Sequence, residues 1–448
     1  MFSPASVGDL DGDGVNEVIA TLGGGLGGAL ALYAWHADGR GVVSVADQPN
    51  GFFAPIPDSA AWFTPALADL YGEGKLKIIL GTQSGVHIFN ADATSTIIEP
   101  GIPFRLRPVV VDDLDGDGSL EIIAVSDPCP VSCEDPAWRL HVWDNYGNPL
   151  PGWPQRMPMA WSAISALAVG DLDGDGKKEI VLAIEDGRTL APPHILAYNL
   201  DGTIKWSTPI EMDDFCRLAD VGLALSLADV DNDGNLEVVF QRNGRCSRTD
   251  HRFGILDGQG RLKNEWFLSR TENWFPSLLD VPLGDLDGDN HLEIITSTTT
   301  QGTPIGRIFA WHHTGDLVEG FPVAVDQRTL TPMVADVDGD GSPDIVSSLG
   351  LLRDYIRNPI YACDPSGRLI DGWPKWLPRV SYPPGWVSAA SYTTLADVNG
   401  DEILDLIASV GGGELHVITL GSRLNPGSMH WPTVRHDFRH TGRYSSEK

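Results

Sequence analysis

The chain has 448 residues, with 61 acidic against 31 basic side chains, a formal charge of −30, and no apolar run long enough to cross a bilayer as a helix. No basic stripe exists to neutralise phosphates, which disfavours a nucleic-acid partner, and membrane insertion is not expected. A hydrophobic share of 42% with 50 glycines and 32 prolines suits many short strands and turns.

The N-terminal MFSPASVGDL has no charged stretch followed by an apolar one, so an exported form is expected to have lost its leader. It enters at once the first of eight copies of DxDGDGxxE, which begin at Asp9, Asp69, Asp113, Asp171, Asp229, Asp285, Asp336 and Asp397. The 44 to 61 residues between starts are about the size of one propeller blade. In the first unit a loop carries Asp9, Asp11, Asp13, Val15 and Glu17 at alternate positions. EVIA follows, β-branched and too short for a helix, and then LYAWHADG, with a glycine where positive φ is cheapest. The second unit starts from TPALADL but puts Tyr71, Glu73 and Lys77 at loop positions three, five and nine. The third restores the pattern with Asp113, Asp115, Asp117, Ser119 and Glu121 before EIIAV, LHVWDNYG and Trp153 of PGWP.

The fourth loop holds Asp171, Asp173, Asp175, Lys177 and Glu179 before EIVLAI and ILAYNLDG, and the fifth holds Asp229, Asp231, Asp233, Asn235 and Glu237 before EVVF and Trp266. The sixth has Asp285, Asp287, Asp289, His291 and Glu293, then EIITS, RIFAWHHTG and Phe321. The seventh has Asp336, Asp338, Asp340, Ser342 and Asp344, then IYACDPSG and Trp373. The eighth is reduced to Asp397, Asn399, Asp401, Ile403 and Asp405. With a strand before each loop, two after it and a fourth marked by the aromatic, the unit predicts four antiparallel strands. The fold expected is all-β, an eight-bladed β-propeller of four-stranded antiparallel blades forming one domain over 1–448, with a seven-bladed ring as the alternative. Residues 432–448 form a basic tail, expected to clasp the junction between blades one and eight or to lead to a further domain.

Six loops contribute four carboxylates each and the eighth three, so 27 of the 61 acids lie in seven loops and the acidity is a set of sites. Aspartates at alternate positions, with glycines between, point several oxygens at one centre and repel unless a cation is shared. Calcium takes six to eight oxygens, here the side chains of positions one, three, five and nine, the carbonyl of position seven, and water. An EF-hand would need a glutamate at position twelve, where Ala20, Ala124, Leu182, Phe240, Thr296, Ser347 and Ala408 stand. Magnesium favours a tighter octahedron. About seven calcium ions are therefore expected, none in the Asp69 loop, where Lys77 supplies the charge, and weaker binding in the eighth, with Asn399 and Glu402.

The eight loops, the SPA, TPALAD and TPMVAD segments and the GWP strands resemble the FG-GAP/VCBS repeats of integrin α-subunit propellers and of bacterial secreted or surface proteins. The resemblance implies a calcium-binding propeller and a function among adhesion, lectin-like binding and carbohydrate-enzyme scaffolds. Integrin-type propellers have seven blades and fewer metal loops, which is where this sequence departs. Calcium modules working at millimolar ion belong outside the cell, so an extracellular or cell-surface protein is expected, a monomer or part of a larger surface protein.

In an up-and-down blade the ion loops and glycine turns share one face, and the longer connections share the other, where binding on a rigid scaffold usually resides. Those connections carry Trp62, Trp161, Trp274, Tyr382 and Trp386 with Arg105 and Arg217, and further Phe52, Phe53, Trp138, Phe215 and Arg245. Aromatic faces beside polar groups suit a sugar ring or a peptide anchor, with packing between blades as the competing reading. His87, His141 and His416 recur at one strand position and read as interblade packing. Cys129 with Cys133 and Cys216 with Cys246 allow two disulfides in an oxidising compartment, while Cys363, at the place of Trp35, Trp143 and Trp311, reads as a buried thiol. No HExxH, GxSxG or phosphate loop is present. The expectation is a non-catalytic glycan- or protein-binding module; a polysaccharide lyase on the same scaffold and a structural spacer are the alternatives.

Overall fold

The structure, a computed structural model, describes residues 3–22, 30–56, 64–100, 109–126, 138–157, 162–186, 192–211, 222–243, 251–269, 274–276, 280–300, 306–325, 331–348, 358–377, 392–410, 413–433 and 435–444. Eight antiparallel sheets form an eight-bladed β-propeller, which excludes the seven-bladed alternative. Each blade is a meander of consecutive strands, A to D from the axis outward; blade 1, for example, runs Ser6–Gly8, Glu17–Leu22, Leu30–Trp35 and Phe52–Ile56. The A–B hairpin register is the same throughout, the residue before each loop pairing with position nine: Gly8 with Glu17, Asp112 with Glu121, Gly170 with Glu179, Ala396 with Asp405. That register is what sets position nine at the mouth of every loop.

Two blades depart from four regular strands. Strand A of blade 6 is split into Trp274–Pro276 and Leu283–Gly284, and blade 8 has three described strands, ending in the long Glu414–Arg423. Trp266 lies within the outer strand Leu262–Ser269 as expected, but the other three marker aromatics sit elsewhere. Trp153, Phe321 and Trp373 lie in the turn just before the outer strands Gln155–Arg156, Val323–Val325 and Lys375–Leu377, not within them. Phe52 and Phe53, read as connection residues, belong to strand D of blade 1, with Phe53 2% exposed.

Apolar side chains cluster between neighbouring blades. One cluster joins Val110, Ile123 and Val142 of blade 3 to Val169, Leu182 and Leu196 of blade 4, and another joins Ala5 and Val18 of blade 1 to Val398 and Ile407 of blade 8. Each sheet therefore buries both faces, which is why the second and third strands read as continuous β-branched runs.

The segment after Trp431 is a lining of the axis rather than a clasp at one junction. Two residues before each loop, on strand A, a backbone N–H points inward. Those of Val334, Leu395, Leu67, Val111, Val169 and Leu227 donate to the carbonyls of Trp431, Pro432, Phe438, Arg439, Thr441 and Gly442 at 2.7–3.0 Å. The segment thus passes blades 7, 8, 2, 3, 4 and 5 in ring order, and Phe438 packs beside blade 1 residues Leu10 and Val7. At blade 6 the Arg435 N–H donates to Asp280, which lies in the gap of the split strand. Inner strands otherwise present unpaired edges to a central channel, and the segment satisfies the six N–H groups named. Among the described residues neither terminus supplies a strand to the other's blade, as the sequence suggested.

Candidate metal centres

In all eight loops the first aspartate holds the loop from within: its Oδ2 accepts from the backbone N–H five residues on, at 2.7–3.1 Å. The curl needs positive φ at positions four and six. Glycine supplies both in loops 1, 2, 3, 4 and 7, whereas Asn232, Asn290 and Glu402 take up φ of 55°, 66° and 60° in loops 5, 6 and 8. For Glu402 that conformation costs roughly 1–2 kcal/mol.

Position nine is buried in each of the seven acidic loops, at most 5% exposed at Glu121 and 0% at Glu17 and Glu293. One carboxylate oxygen accepts from the N–H of position two (Leu10, Leu114, Leu172, Val230, Leu286, Val337 and Val398) at 2.7–3.1 Å. The other faces the loop aspartates. Donor oxygens of Asp113, Asp115 and Glu121, and likewise of Asp171, Asp173 and Glu179, lie within 4.8 Å of one another. Asp344 Oδ1 is buried without a hydrogen-bond partner, the arrangement of an oxygen that has a cation to meet. An all-oxygen donor set of this kind fits a hard divalent ion.

Neighbouring strands bring other groups to some loops. His36 Nδ1 lies 2.9 Å from Glu17 Oε1 and His312 Nδ1 lies 3.0 Å from Glu293 Oε1. Thr419 donates its hydroxyl to Asp405 at 2.7 Å. Lys205 meets Asp173 and Glu179, and Lys263 meets Asp231 and Glu237. In loop 2 Lys77 Nζ lies 3.0 Å from Glu73, as its sequence position foretold. The lysines of blades 4 and 5 were missed because they lie more than thirty residues from the first aspartates they approach. Asp112, the extra acid before loop 3, is not a loop oxygen: 3% exposed, it meets Lys178 Nζ at 2.8 Å, which ties blade 3 to loop 4.

Burial raises the position-nine carboxyls of loops 1 and 3 to 7. It pushes Glu121, Glu237 and Glu293 up to about 7 and Asp344 up to about 8. Groups raised in the folded state bind protons there more tightly than in the unfolded chain, so ion-free protein loses stability as pH climbs through 7 to 8. The imidazoles of His141 and His440, which burial lowers to about 4, act in the opposite sense below about pH 6.5 and offset part of the carboxyls' contribution there without reversing it, two groups against four. Chelated protein is therefore expected to melt a few degrees higher at about pH 7 than at about pH 8.5. Calorimetry at the two pH values checks this; a flat or inverted dependence contradicts the burial of the loop carboxylates.

The expected recognition residues Trp62, Trp161, Tyr382, Trp386, Arg105 and Arg217, with Phe215 and Arg245, lie outside the described residues, as do Cys129, Cys133, Cys216 and Cys246. Trp274 stands in strand A of blade 6, paired with Thr300, rather than in a connection. Trp138, 6% exposed, packs between blades 3 and 4. His87 and His141 are buried, stack on Phe89 and Trp143 of their own strands and reach Ser84 and Ser126 of their own blades, contacts within a blade where packing between blades was expected, while His416 turns to Glu414 at 3.2 Å. Cys363 is a free thiol, fully buried. A cavity of about 1050 Å³ opens on the ion-loop side beside the axis, between loops 4 to 7 and His430, Arg443 and Tyr444.

A family model described as FG-GAP-like repeat matches residues 113–182, 171–240 and 285–347, each match beginning at the first aspartate of a loop. The chain carries FG-GAP-like repeats. The repeats matched include loops 3 to 7. No curated protein matches the sequence. Among solved structures, the V. cholerae biofilm matrix protein Bap1 superposes with a TM-score of 0.58 at 12% identity, covering 100% of this chain and 93% of that one. A rhamnogalacturonan lyase from Bacillus licheniformis gives a TM-score of 0.48 at 15% identity, covering 99% of this chain and 77% of that one. At 12% identity the likeness to Bap1 is one of fold alone.

Proposed function

We propose that this FG-GAP-like propeller is a calcium-stabilised extracellular module that binds a glycan or a protein without catalysis. The observation that carries the calcium reading is the buried position-nine carboxylate, one oxygen capped by the loop's own backbone and the other turned toward the aspartates. The ion would be held by positions one, three, five and nine and the position-seven carbonyl, and would cancel charge that otherwise pushes the hairpin open. A rigid ring then frees the longer connections for recognition, with Trp62, Trp161, Tyr382, Trp386, Arg105 and Arg217 as the contacts proposed, beside Trp274 on strand A of blade 6. The full-length likeness in fold to a biofilm matrix protein supports a role in an extracellular assembly.

The test is a screen of the purified protein, in millimolar calcium, against neutral and acidic polysaccharides and surface proteins. Binding with no change in polymer length is the expected result. Growth of the ultraviolet absorbance of an unsaturated uronide would show a lyase, and the absence of any ligand would leave a spacer.

A further inference from the structure

We propose that the loops beginning at Asp171 and Asp229 take no divalent ion, because Lys205 and Lys263 occupy the ion's place; calcium is then confined to the loops beginning at Asp9, Asp113, Asp285, Asp336 and Asp397. The proposal rests on the calcium reading above and sets which loops obey it.

Lys205 Nζ lies against Asp173 Oδ2 and 2.9 Å from Glu179 Oε1. Lys263 Nζ lies 2.5 Å from Asp231 Oδ2, 3.1 Å from Glu237 Oε1 and 3.7 Å from Asp233 Oδ2. Those are the side-chain oxygens of positions three, five and nine, the ones a calcium ion would gather. An ammonium has three donors and satisfies two or three such oxygens at hydrogen-bond length, whereas calcium needs six to eight at 2.3–2.6 Å. The two cations cannot share one cage, since they would repel at contact distance. The lysine is tethered and already half-withdrawn from water, with side chains 17% and 33% exposed, so it competes as a local charge of high effective concentration.

The delivery is built into the blade. Each lysine stands three residues past the positive-φ glycine of its C–D turn, Gly202 and Gly260. The same place holds Val42, Leu150, Val318 and Ile370 in blades 1, 3, 6 and 7, and Thr96 in blade 2, where Lys77 does the equivalent work from position nine. Elsewhere what reaches position nine is neutral or can itself ligate: the imidazoles of His36 and His312 and the hydroxyl of Thr419. Among the described residues no cationic side chain enters loop 3 or loop 7.

Calcium bound per chain is measured by equilibrium dialysis and elemental analysis on the intact protein, on K205M, on K263M and on the double variant, with circular dichroism confirming the fold. About five ions in the wild type, one more for each lysine removed and seven in the double variant are expected. Seven ions in the wild type, or an unchanged count in folded variants, overturns the proposal while leaving calcium stabilisation intact. A wild-type count near zero overturns the calcium reading itself. The variants separate the two ideas further by melting: filling the vacated cages makes the double variant's melting temperature more dependent on added calcium than the wild type's.

Discussion

A chain ending at Trp431 is expected to melt about 5 °C or more below the intact protein. The truncation removes the carbonyls that accept from Leu395, Leu67, Val111, Val169 and Leu227, five of the six inward N–H groups the axial segment satisfies. At a net ~1 kcal/mol for each hydrogen bond the loss is about 5 kcal/mol. Unfolding entropy of roughly 0.9 kcal/mol/K for a chain of this length converts that to about 5 °C. The loss of Phe438 from the cluster between blades 1 and 2 adds to it. Trp431 itself is 0% exposed and pairs with Val334, so W431A removes a large buried ring at a cost of about 3–5 kcal/mol with every carbonyl still in place. Differential scanning calorimetry of both variants checks the assignment. An unchanged melting temperature in the truncated chain would mean that the axial segment contributes no stability.

Withdrawal of calcium is the second large effect. At a free ion concentration one hundred times the dissociation constant, each site adds about 2.7 kcal/mol to the folded state. Several sites together are expected to shift melting by on the order of 10 °C between EDTA-treated protein and protein in millimolar calcium. The sharpest single-residue version is Asp344→Asn. Its Oδ1 is buried without a hydrogen-bond partner, so the amide keeps the shape while removing the charge that an ion would meet. The variant should lose one bound ion and narrow the difference between the two conditions. A wild-type melting temperature indifferent to EDTA would sink the stabilising role of the loops.

The two effects act on different parts of the ring. Ions would pin A–B hairpins on one rim, whereas the axial segment joins inner strands to each other at the centre. Truncated protein should therefore remain responsive to calcium, and chelated intact protein should keep its axial lining.

Much of this molecule is legible from local chemistry. Eight copies of one loop with β-branched runs between them specify eight hairpins, because side-chain alternation and the glycine turns act over a few residues. The departure of loop 2 at Tyr71, Glu73 and Lys77 was equally local, and the ion pair of Lys77 with Glu73 follows from four residues of spacing. That His87 and His141 pack followed from their recurrence at one strand position, but that they do so within a blade did not.

What the sequence determined by itself was thus the repeating unit: how many blades, where each loop turns, and which oxygens converge on each. Only the tertiary structure decided what meets those oxygens and what fills the axis. Lys205 and Lys263 reach their aspartates across a third strand, His36 and His312 meet glutamates nineteen residues back, and Asp280 finds the Arg435 backbone 155 residues away. The axial segment was read as a clasp at one junction because a basic string carries no trace of a circle. Its partners are backbone N–H groups, which every residue but proline owns, so closure of the ring, and not residue type, selects them.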